Sequence, residues 1–235
     1  MRTIKLNRYL KRYYEPLTLF VFLGSILVGS LAVYLTQGKI LSLEIIGKLP
    51  TIQGVFATIA NLSVLMIFTS MLYIFSSSLK LKSMGFKGNL ILPVAIHSAI
   101  WEGVIFFFGL FSILSVFFKT LIPNFVFTNN QPQIIIVLMH YFALDIPVGL
   151  NLSMLLAIVL CNIIFAFFHA SKVVIDGGAV VVRGVDFFNF FFSLILSKIL
   201  FGAMLNFGFI TMLFGFSLFI LMQLLLIYFI VQLKG

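Results

Sequence analysis

The sequence predicts an all-α integral membrane protein, and three features of its 235 residues predict it. Hydrophobic residues make up 62% of the chain and charged residues 9%, with a mean hydropathy of +1.23. A soluble domain carries about 25% charged residues. Fifteen cations and six anions are too few to clothe a water-facing surface of this size. Second, the apolar residues form unbroken runs of about 20, the length that crosses a bilayer as a helix. Barrel strands alternate apolar and polar residues, and no such period of two is seen. Third, the cations gather at the flanks of these runs, where orientation and anionic lipid headgroups account for the net charge of +9 without nucleic acid.

Residues 1–17, MRTIKLNRYLKRYYEPL, place Leu6, Tyr9, Leu10, Tyr13 and Leu17 on one helical face. Lys5, Arg8, Arg12 and Glu15 lie around the other side. The pattern predicts a basic amphipathic helix in the headgroup layer. A signal peptide also starts basic, but the following run is long for one, shows no small-residue cleavage site and is followed by further apolar runs. Six spans are predicted, at about 18–36, 54–78, 97–119, 148–170, 187–205 and 209–232. The last two are joined by a short turn near Asn206 and Gly208.

Cation counts orient the chain. Arg2, Lys5, Arg8, Lys11, Arg12, Lys80, Lys82, Lys87, Lys172, Arg183 and Lys234 fall on one side, and Lys39, Lys48 and Lys119 on the other. Eleven against three predicts that both termini face the cytoplasm.

Two connections stand apart. Polar FTNNQPQ (127–133) is followed by IIIVLMHYFALDIP (134–147), too short to span and too apolar for a solvated loop. It reads either as a re-entrant half-helix or as an extended start of the fourth span kinked at Pro147. In KVVIDGGAVVVR (172–183), β-branched runs flank Asp176, Gly177 and Gly178, the pattern of a small hairpin or of a glycine-rich loop.

Catalytic chemistry has little to work with. There is no HExxH, GxSxG or GxxxxGK[ST] motif, so neither a metalloprotease helix, a serine nucleophile nor an ATP-binding loop is expected in this chain. His97 and His169 fall at the cytoplasmic ends of spans three and four, one membrane level where two imidazoles could ligate a haem; His140 falls on the other side. Cys161 is the only cysteine and lies within an apolar run, a packing residue.

Glu102 and Lys198 are charges inside predicted spans. Each costs about 2.5–3.5 kcal/mol in hydrocarbon, so each needs a partner or a wet cavity. The sequence suggests that they pair, joining spans three and five. Asn61, Asn162 and Gln223 are expected as interhelical hydrogen-bonding groups. Gly24, Ser25, Gly29, Gly202, Ala203 and Gly208 are expected to let helices approach closely.

The most distinctive stretch is KLKSMGFKGNLILPVAIHSAIWEGV, residues 80–104. Lys82-Ser83-Met84-Gly85 is followed by Leu90-Ile91-Leu92-Pro93-Val94 immediately before span three. Together with the leading amphipathic helix, the six spans and the tight last hairpin, it resembles the membrane subunit of ABC-2-type transporters. The resemblance implies a cell-membrane permease whose 80–96 segment docks on a separate ATP-binding subunit. Met84 and Phe86 would then be the apolar anchors, and Lys82 and Lys87 would meet acidic groups. It also implies a second permease half, identical or different, with ATP held by the partner and no cofactor in this chain. A subunit of a respiratory or other multi-subunit membrane complex is the alternative, with His97 and His169 near haem or quinone.

Overall fold

The computed structural model describes residues 16–35, 43–76, 91–122, 152–176 and 179–233. Residues 1–15 of the amphipathic segment, the docking residues Lys82, Met84, Phe86 and Lys87, and the 134–147 stretch with His140 lie outside the described residues. In chain order the elements are α1 (Pro16–Leu35), a short α2 (Leu43–Gly47), α3 (Ile52–Ser76), α4 (Ile91–Leu121) and α5 (Leu152–Ala170). Strands β1 (Ser171–Asp176) and β2 (Ala179–Val185) follow, then α6 (Phe187–Phe207) and α7 (Phe209–Leu233).

The protein is predominantly helical. Four helical stretches are long and apolar enough to cross a membrane, Ile91–Leu121, Leu152–Ala170, Phe187–Phe207 and Phe209–Leu226. Shorter apolar stretches occupy Leu19–Leu35 and Ile52–Ile67. Large apolar side chains point outward all round the bundle, among them Phe20, Leu27, Phe56, Phe168 and Phe187. Water would penalise such a surface and a bilayer solvates it, so the chain is a membrane-embedded protein.

Local chemistry sets the helix ends. Pro16 opens α1, where its missing N–H costs nothing. Thr51 caps α3: its Oγ1 accepts from the Gly54 N–H at 3.1 Å. Asp186 caps α6, its carboxylate accepting from the N–H groups of Phe188 at 3.1 Å and Asn189 at 3.3 Å. Between α6 and α7 the chain reverses at a single residue, Gly208, whose φ of 99° favours glycine. Lys48 seals that turn, its Nζ donating to the Asn206 carbonyl at 3.2 Å.

One expectation is corrected. The third helix starts at Ile91 rather than 97, because Pro93 falls in its first turn, where no intrahelical N–H bond is lost. One short hairpin accompanies the helices. Strands β1 and β2 form an antiparallel hairpin with Val173 opposite Val182, Val174 opposite Val181 and Ile175 opposite Val180. The Asp186 N–H closes its base on the Ala170 carbonyl at 2.9 Å. This is the hairpin that the β-branched runs around Asp176 suggested.

Helix α4 organises the bundle. Its first turns pack on α7, its middle on α1, and its last turns on α5; α6 lies between α5 and α7, and α3 covers α6 and α7. The middle, Gly103–Leu110, is a π-helix. Here three consecutive phenylalanines between them reach α5, α6 and α7. Phe106 stacks edge-on against Phe165 of α5 with ring centroids 5.2 Å apart, Phe107 meets Phe201 of α6 at 4.7 Å, and Phe108 meets Phe209 of α7 at 5.9 Å. Buried Phe107, Phe111, Phe165, Phe201 and Phe216 form the centre of the core.

Candidate functional site

The described residues bring two ionisable side chains together inside this bundle. Glu102 ends the first α-helical stretch of α4, directly before the π-helical Gly103. It stands eleven residues from Ile91, ~16 Å along the axis at 1.5 Å per residue. His169 is the penultimate residue of α5, one residue before the chain leaves for the hairpin. The two helices are antiparallel neighbours, so the end of α5 comes level with Glu102. His169 Nε2 lies 3.2 Å from Glu102 Oε2. The side chains are mostly covered, at 26% and 16% exposure.

The other ring nitrogen fixes the proton count. His169 Nδ1 is 2.9 Å from the Phe165 carbonyl oxygen. A carbonyl oxygen can only accept, so Nδ1 carries a hydrogen and donates it. The remaining contact then holds one proton between Nε2 and Oε2, in an imidazolium–carboxylate pair or a neutral imidazole beside a carboxylic acid. Aromatic faces favour the first arrangement. The His169 ring lies 4.2 Å from Phe165, 5.6 Å from Phe168 and 6.5 Å from Phe106, centroid to centroid. Ring faces attract an imidazolium by their quadrupoles.

Cys161 lies about two turns before His169 on α5. It is fully buried, with Sγ 3.8 Å from the Phe106 carbonyl, and serves as packing. Asn162 accepts a hydrogen bond from the Ser197 hydroxyl, joining α5 to α6, the interhelical role expected of it.

The partner of Glu102 is thus His169, where the sequence had suggested Lys198. Lys198 is partly buried on α6, a helix whose main neighbours are α5, α7 and α3. His97 lies one helical turn before Trp101, ring centroids 5.6 Å apart, and is likewise partly buried. A haem iron would need a lone pair on His169, and both of its nitrogens are engaged. Among the described residues no three histidine, cysteine, aspartate or glutamate side chains converge as a metal site.

The sequence points to Lys198 because Glu102 and Lys198 are the two charges inside predicted spans, whereas His169 falls at the end of its apolar run, where water could serve it. One signal in the sequence pointed to His169. His169 and Glu102 fall near one membrane level on consecutive, antiparallel spans. A further feature had no signal at all: the hydroxyls of Ser112 and Ser115, just beyond the π-helix, are buried and have no hydrogen-bond partner among the described residues.

Comparison with protein-family models, with curated proteins and with solved structures finds no match to this chain.

Proposed function

We propose that this chain is the membrane-spanning permease subunit of an ATP-driven exporter of the ABC-2 type. It would cross the cell membrane six times, with both termini in the cytoplasm and a second permease half, identical or different, beside it. A separate ATP-binding subunit would dock on the 80–96 segment through Met84 and Phe86, with Lys82 and Lys87 facing acidic groups.

The observation that carries this reading is the early start of α4. Ile91, Leu92, Pro93 and Val94 are helical and continuous with the 31-residue α4. A push on the 80–96 segment would therefore reach the bundle centre through a stiff rod rather than a loop.

The test is co-purification of the full-length chain from its native membranes. The expected result is a stoichiometric P-loop ATPase that Met84→Asp, or Lys82→Glu with Lys87→Glu, releases while the helical circular dichroism is unchanged. Purification without an ATPase, or its retention by both variants, overturns the proposal. A Soret band in the purified protein would point instead to the haem-bearing complex.

A further inference from the structure

We propose that Glu102 and His169 form a proton-binding latch that holds the π-helical form of α4. Nothing in this inference depends on the ATPase reading.

Three observations carry it. First, the proton count above leaves one proton shared between His169 Nε2 and Glu102 Oε2, with Nδ1 held by the Phe165 carbonyl. Removing that proton to solvent leaves a bare nitrogen lone pair facing a carboxylate, a contact that repels. The couple is therefore closed with its proton and open without it.

Second, Glu102 is the residue at which α4 changes from α- to π-helix. A π-helix of eight residues is unusual, since most are single turns, and such segments mark functional sites and hinges. The latch ties this junction to the end of α5, where Ala170 and Asp186 close the base of the hairpin.

Third, the π-helical form leaves a polar deficit beside it. In this bundle the hydroxyls of Ser25, Thr58, Thr211 and Ser217 each donate to the carbonyl four residues earlier. Ser112 and Ser115, in the turn after the π-helix, have no such partner among the described residues although both are fully buried. An unsatisfied buried hydroxyl is costly, so a second, better-satisfied arrangement of this part of α4 is accessible once the latch opens. Rewinding by one residue would rotate Ile91–Glu102 against Phe111–Leu121 by about 100°, the angle per residue of an α-helix.

Few other charges compete for the couple. On α4 itself the other titratable groups are His97 and, in the last turn, Lys119; on α5 there is Cys161, and on α6 Lys198. Helices α1 and α7 contain no aspartate, glutamate, lysine, arginine or histidine. The hairpin that continues from α5 carries Lys172, Asp176 and Arg183.

Two glycines bracket the π-helix and make the experiment direct. The full-length protein, labelled with 15N-histidine and 1-13C-glycine, is reconstituted in lipid bilayers and followed by solid-state NMR as pH is raised. The expected result is that the Gly103 and Gly109 carbonyl signals move with the same midpoint as the His169 ring nitrogens, while Gly24 of α1 stays still. In Glu102→Gln, whose amide can donate to a bare Nε2 and accept from a protonated one, the latch cannot open, so the two carbonyls should hold the wild type's low-pH positions throughout. Carbonyls that remain fixed while His169 titrates in the wild type overturn the proposal. So do carbonyls that titrate in Glu102→Gln as they do in the wild type. Should Glu102→Gln fail to fold, the wild-type series alone decides.

Discussion

Gly109 of α4 lies against Ser25 of α1 so closely that a Cβ added to the glycine would stand 2.5 Å from the serine Cβ and 2.9 Å from its Cα. The second contact is with backbone, which cannot rotate away. In a bilayer, helices associate by packing and polar contacts rather than by escaping water, so such approaches hold α1 in place. Gly109→Ala is therefore expected to separate the two helices at a cost of about 1–3 kcal/mol. Gly24→Ala is the control, since nothing lies within 4 Å of its Cβ position. It should be neutral or stabilising by up to about 1 kcal/mol through helix propensity. Thermal unfolding of both variants in one detergent checks the contrast.

Glu102 and His169 should be energetically coupled. A hydrogen bond to a charged group contributes about 1.5–3 kcal/mol, and both side chains here are partly reachable by solvent. Glu102→Gln, His169→Gln and the double variant, compared by reversible unfolding in mixed micelles, are expected to give a coupling near the lower end of that range. Additive single effects would show that the pair contributes no mutual stability.

The Asn162–Ser197 bond links α5 and α6 in the buried interior. Intramembrane hydrogen bonds are worth on average about 0.6 kcal/mol, because the unfolded chain in the membrane also finds partners. Ser197→Ala should therefore cost little, whereas Asn162→Leu must also fit a branched side chain where an amide lay. The larger loss is expected at Asn162, read from the same unfolding assay.

Gly208 is the turn on which α6 and α7 reverse. Its φ of 99° is one that side-chain-bearing residues rarely adopt, and a Cβ there would also stand 2.8 Å from the Lys48 Cβ. Gly208→Ala is expected to destabilise by about 1–3 kcal/mol. Lys48→Met, which removes only the exposed bond to the Asn206 carbonyl, should cost less.

Cys161 is fully buried between α4 and α5. A membrane-permeant maleimide should leave it unmodified in the folded protein and label it in dodecyl sulfate. Fast labelling of the native protein would mean that α5 opens away from the π-helix.

The helix limits were largely legible in the sequence. The apolar run at 187–205 became Phe187–Phe207, and that at 209–232 became Phe209–Leu233. A run of lipid-soluble residues bounded by Asp186 and Gly208 leaves little freedom, because backbone groups in lipid must bond internally. The start of α4 was harder to see. Pro93 and the polar His97 look like breakers, yet a proline in the first turn breaks nothing. The hairpin at Asp176 was visible in its β-branched flanks because it is a local pattern, fixed by neighbours in the chain.

What the sequence alone determined is the solvent this protein lives in and the places where α6 and α7 begin and end. Both follow from hydropathy and end chemistry, which act within a few residues. Which helix faces which, and hence that Glu102 meets His169, was decided only in the tertiary structure. In a soluble helix the apolar stripe reveals the buried face, but α5 to α7 are apolar nearly all round and carry no such stripe. Neighbours are then chosen by shape, by Gly109 receiving Ser25 and Gly29 receiving the Phe108 ring, and shape has no one-dimensional signature. The π-helix belongs to the same class of fact, since three adjacent phenylalanines between them reach α5, α6 and α7 only when the bundle is assembled.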